Sequence, residues 1–135
     1  MKKNIRQYSD QIKLIIISNS TYIKKRLSIF PKSLISKINR MKLDGEVEVR
    51  GKSYTRNELI KEVLIKYKSL HRESLTSSYN NIRHSFIREA KQNKDNVQDV
   101  YEKYRSMLTE RLKNDKSDLY FCLDALKVVE KSLKK

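Results

Sequence analysis

Few residues in this chain have the type and spacing that chemistry requires. There are 2 histidines, His71 and His84, and 1 cysteine, Cys122. The histidines stand 13 positions apart in different expected helices, without the i,i+4 spacing of a helical metal pair. One cysteine forms no internal disulfide, and with two histidines it does not complete a zinc set. Cys122 is therefore expected to be a small buried hydrophobe. Gly45 and Gly51 are the only glycines, so neither a Walker loop nor a dinucleotide fingerprint exists. Serines are plentiful, but no nucleophile motif marks one, and the carboxylates are scattered. The pattern points away from an enzyme, with no intrinsic cofactor or metal.

What remains is charge. Among 135 residues, 31 are Lys or Arg and 16 are Asp or Glu, a net charge of +15. Such a field attracts nucleic acid, anionic lipid or an acidic protein. It is uneven: residues 1–43 hold 11 basic residues and one acid, Asp10. That composition fits either a mitochondrial-type targeting extension or a pair of ordinary basic helices. The longest apolar run, Leu14-Ile15-Ile16-Ile17, is too short to span a bilayer.

One proline and two glycines leave long uninterrupted stretches, which favours helices. The expected fold is all-α: a compact bundle of four to six helices, with at most one small β-hairpin, near 46–54. The basic segment 1–43 precedes a helical domain over 44–135. Pro31 separates two helices in the first segment, the second carrying Leu34, Ile35, Ile38 and Met41 and ending at Asp44-Gly45. Glu46-Val47-Glu48-Val49 alternates at period two, Arg50-Gly51-Lys52 reads as a turn, and Ser53-Tyr54 returns as a second strand. Thr55-Arg56-Asn57-Glu58 is a capping box that opens a helix over about 56–76. Ser77 to Asn81 reads as a turn, followed by a helix over about 80–92. Asp95 to Gln98 reads as a second capping box, opening a helix to about 113. A short break at 114–117 precedes a last helix to about 133. The expected core is Leu59, Val63, Tyr67, Leu70, Ile82, Phe86, Val100, Tyr104, Leu108, Leu119, Leu123 and Leu126.

Over residues 59–112, Lys66-Tyr67-Lys68, Leu70-His71-Arg72, Arg83, Phe86 and Asn93-Lys94 fall in an order that resembles the LYR-motif family of mitochondrial adaptor and assembly proteins. Within that family the chain is most similar to succinate dehydrogenase assembly factors. It departs from the signature at Lys66, in place of Leu, and at Lys68, in place of Arg, which loses the planar guanidinium fork. The resemblance implies a three-helix scaffold over 56–113. It implies an accessory subunit or assembly factor of a respiratory complex or the mitochondrial ribosome. It also implies an acidic partner, acyl carrier protein, whose acyl-phosphopantetheine enters between the helices. The implied contacts are Tyr67, Lys68, His71, Arg72, Arg83, Phe86 and Arg88. The alternative expectation is a DNA- or RNA-binding structural or regulatory protein, such as a small helical binder or a viral DNA-coating protein. Its contacts are Lys24, Lys25, Arg26, Lys32, Lys37, Arg40 and Lys42.

Overall fold

A computed structural model describes residues 3–28, 34–41, 45–71 and 75–134. Pro31, Lys32, Lys42, Asp44 and Arg72 lie outside them. The elements are α1 (Ile5–Leu27), α2 (Leu34–Asn39), β1 (Glu46–Val49), β2 (Lys52–Thr55), α3 (Arg56–Leu70), α4 (Leu75–Gln92) and α5 (Val97–Leu133), with a 3-10 turn at Lys94–Asn96 before α5. The fold is an all-α bundle, 84% helical, with five helices and one two-stranded antiparallel hairpin among the described residues.

α1 starts at a reciprocal cap that the sequence reading passed over. The Gln7 N–H donates to Asn4 Oδ1 at 2.9 Å, and the Asn4 N–H donates to Gln7 Oε1 at 2.9 Å. These two bonds satisfy donors that a helix start otherwise leaves orphaned. Tyr8, Ile12, Ile16, Ile23 and Leu27 then bury one stripe, each 7% exposed or less. In α2 and just beyond it, Leu34, Ile38 and Met41 are buried as their spacing predicts.

The hairpin pairs Val47 with Tyr54 and Val49 with Lys52. Its turn is therefore the two residues Arg50 and Gly51, tighter than the expected three. Both have positive φ, 53° and 82°, the backbone that matches the right-handed twist of paired strands. Period two sorts its faces: Val49 and Tyr54 are buried, while Glu46, Glu48 and Ser53 face water. A lone hairpin is marginal, and this one is held against α5. Tyr54 meets Phe121 edge-on at 5.7 Å between ring centroids, and Arg50 Nε lies 3.7 Å from Asp124 Oδ2.

α3 opens on the expected capping box. The Glu58 N–H donates to Thr55 Oγ1 and the Thr55 N–H to Glu58 Oε1, each at 3.3 Å. Replacing Thr55 with Ala leaves the Glu58 N–H without its side-chain acceptor. Urea unfolding of T55A should show a loss of about 1 kcal/mol; no change would mean that water replaces the cap fully.

Three expectations about boundaries fail. Ser77 to Asn81 is not a turn but lies inside α4, and α3 ends at Leu70 rather than near 76. Tyr79 is the reason: it is fully buried, and it shares a face with Phe86 and Ala90, also fully buried. Burial at spacings of seven and four outweighs the weak helix propensity of the Ser and Asn around it. The break at 114–117 is absent. Leu108, Leu112, Asp115, Leu119, Cys122, Leu126 and Val129 are all buried, at alternating spacings of four and three. The stripe runs straight through Lys113-Asn114, whose polarity marks only the wet side. Finally, Asp95 sits inside the 3-10 turn rather than at an extended cap position, and Asn93, before the turn, makes no side-chain cap bond.

The expected core is buried except at Tyr67 and Ile82, which are half-exposed. The chain divides into two compact units, residues 1–22 with 72–114 and residues 23–71 with 115–135. In the first, Tyr8 stacks on Tyr101 at 4.5 Å, and Phe86 meets Tyr101 and Tyr104 edge-on, each at 6.2 Å. In the second, Lys37 Nζ pairs with Glu130 Oε1 at 2.9 Å and Lys66 Nζ with Asp118 Oδ1 at 3.1 Å.

Candidate functional site

The two sets of contact residues fare differently. Of the first set, Tyr67 is half-buried and its ring stacks on His71 at 5.3 Å and 12°. Four residues along a helix place side chains one above the other, which is why these rings meet. Lys68 and His71 are exposed, and His71 ends α3 with its N–H donating to Tyr67 O at 2.8 Å. Arg72 lies outside the described residues. Arg83 Nε donates to Ser9 Oγ at 2.9 Å, so this guanidinium is tied to α1. Phe86 is 0% exposed and belongs to the aromatic core of the first unit. Arg88 is exposed. Tyr67, Lys68 and His71 thus belong to the second unit, whereas Arg83, Phe86 and Arg88 belong to the first. An implied partner contact at Phe86 is corrected: that ring has no surface to offer.

Of the second set, Lys24, Lys25 and Arg40 are exposed. Lys24 and Lys25 stand in the last turn of α1, where the unsatisfied carbonyls give a partial negative charge that favours cations. Arg26 is half-buried, and its Nε is enclosed without a hydrogen-bond partner. Lys37 is half-buried and pairs with Glu130 at 2.9 Å. Lys32 and Lys42 lie outside the described residues. The five described members all belong to the second unit.

Ion pairing decides which cations stay free. Acids are drawn to Lys37, Arg50, Lys66, Lys103 and Arg105, through Glu130, Asp124, Glu62 and Asp118, Glu89, and Glu102. Arg6, Lys13, Lys24, Lys25 and Arg40 are exposed and make no ion pair among the described residues. α1 has no acid in its first turn and carries only Asp10. Its field is left open to an outside anion. Mobile ammonium groups on four-carbon stems suit phosphates as point charges; they lack the rigid fork that reads a base edge.

Sequence reasoning missed two clusters because each joins residues far apart in the chain. Lys66 lies between Asp118 at 3.1 Å and Glu62 at 3.9 Å, with its Nζ 5.2 Å from the centre of the Phe121 ring. Lys66 thus serves as a tie between α3 and α5. Beside it, burial first and the Asp118 charge second push the Cys122 thiol up to about 12, so it stays protonated and unreactive. In the first unit, Glu89 accepts a hydrogen bond from the Tyr104 hydroxyl and pairs with Lys103 Nζ at 3.0 Å. The Tyr104 bond, then Lys103, holds the Glu89 carboxyl below its ordinary range. A depressed acid contributes stability above its unfolded value, about 4.3, and loses it as pH falls through the folded value. E89Q should therefore melt below the wild type at pH 7, with the gap closing as pH drops below about 4. A gap independent of pH would contradict the assignment.

Among the described residues, no group of His, Cys, Asp and Glu is placed to hold a metal ion. No helix among the described residues is long and apolar enough to cross a membrane. Compared with protein-family models, curated proteins and solved structures, the chain matches none.

Proposed function

We propose that the protein is a non-enzymatic nucleic-acid-binding protein that holds the phosphate backbone through exposed lysines and arginines. The observation that carries this reading is that Lys24, Lys25 and Arg40 of one compact unit are exposed and make no ion pair among the described residues. Arg6 and Lys13 are exposed cations of the other compact unit. Each cation that meets a phosphate releases condensed counterions, so affinity comes with a salt dependence and little sequence preference. The test is the affinity of the whole chain for duplex DNA and for RNA as salt is varied, with a variant neutralised at these three positions.

The second reading is a mitochondrial adaptor that docks an acidic carrier protein. The stacked Tyr67–His71 pair beside the exposed Lys68 favours it, since a basic and aromatic helix end suits an acidic helix. The burial of Phe86 and the bond from Arg83 to Ser9 weigh against it. A pull-down with acyl carrier protein separates the two. Capture that is lost in K68E, with DNA affinity retained, would favour the adaptor.

A further inference from the structure

α1 carries an outer face that its own fold does not use. Tyr8, Ile12 and Ile16 fill the core side and are 7%, 0% and 1% exposed. Leu14 and Ile17, one turn apart, are instead 68% and 51% exposed. Helical spacing sets Arg6, Lys13 and Ile17 in one row with Leu14 beside it. Arg6 and Lys13 are exposed and make no ion pair among the described residues, and Asp10 is the one acid on this face.

The occupant must be both anionic and apolar. Phosphates alone would leave Leu14 and Ile17 in water. A stable protein interface buries about 800 Å² on each side around an apolar centre, and two side chains make a small one. A lipid surface needs no more than this, because shallow insertion of a few apolar groups and attraction to anionic headgroups add together. The contact is along the surface, since no described helix is apolar enough to cross it.

We propose that this face of α1 lies on an anionic lipid surface, with Leu14 and Ile17 entering the headgroup boundary and Arg6 and Lys13 meeting the lipid anions. The site does not depend on nucleic-acid binding, and its test is separate. The whole chain is sedimented with vesicles of phosphatidylcholine alone and of phosphatidylcholine with phosphatidylserine. Wild type should partition onto the anionic vesicles and not onto the neutral ones. The double variant L14S/I17S should partition about tenfold less or weaker still. R6Q/K13Q should also partition less. Because these side chains stand in water, L14S/I17S should keep its thermal unfolding and its DNA affinity. Wild type left in the supernatant with anionic vesicles would overturn the proposal. So would L14S/I17S sedimenting like wild type, which would leave charge alone as the cause. An equal loss of DNA affinity in L14S/I17S would also overturn it, by assigning the face to nucleic acid.

Discussion

Replacing Phe86 with Ala should lower the unfolding free energy by about 4 kcal/mol while leaving ligand affinity of the folded protein unchanged. The ring is 0% exposed and meets Tyr101 and Tyr104 edge-on. Its removal costs the transfer of an aromatic side chain from water, the lost edge-to-face contacts, and a cavity that the helix backbones only partly close. Domains of this size are stable by roughly 5–15 kcal/mol, so the loss is a large fraction of the whole. Urea denaturation of F86A and of the milder F86L measures it, and F86L should fall between F86A and wild type. A loss in F86A below about 1 kcal/mol would mean that the ring is not packed as described. The result also separates the two roles given to this residue. A partner contact would change affinity first and stability little.

The sequence made much of the fold legible because the signals were local. The Thr55–Glu58 capping box lies within one turn, and the first hairpin strand, 46–49, announces itself by strict alternation. The two missed helix continuations have one cause. The polar runs at 77–81 and 114–117 look like breaks in sequence, although apolar residues on either side keep helical phase through them. Tyr79 carries the stripe of α4 across the first run, and Asp115, buried at 4% exposure, carries the stripe of α5 across the second. A buried Asp at a core position is the kind of residue that pattern reading assigns to a loop. The site was less legible for a different reason. Which cations are free depends on which acids reach them, and Lys37 finds Glu130 across 93 positions of the chain. Lys24 and Lys25 look no more basic in sequence than Lys37, and only the fold distinguishes them.

Neutralising Lys24, Lys25 and Arg40 together should weaken nucleic-acid binding by at least about tenfold at low salt, across all sequences tested. All three are exposed and make no ion pair among the described residues, so glutamine at each position removes a charge without opening a cavity or stranding a described acid. Stability should fall by no more than about 1–2 kcal/mol, chiefly from the two cations lost at the C-terminal end of α1. K37Q is the informative comparison. It should cost little affinity, because that lysine already serves Glu130 at 2.9 Å. Equal losses from K37Q and from K24Q/K25Q/R40Q would show that total charge alone matters, not the cations the fold leaves open.

The most direct measurement is the binding constant of the whole chain for duplex DNA, followed as monovalent salt rises. The account predicts a straight fall of log K with log salt, with a slope of about −3 or steeper, and a slope shallower by about 3 in K24Q/K25Q/R40Q. A slope near zero, or the same slope in wild type and variant, would contradict it.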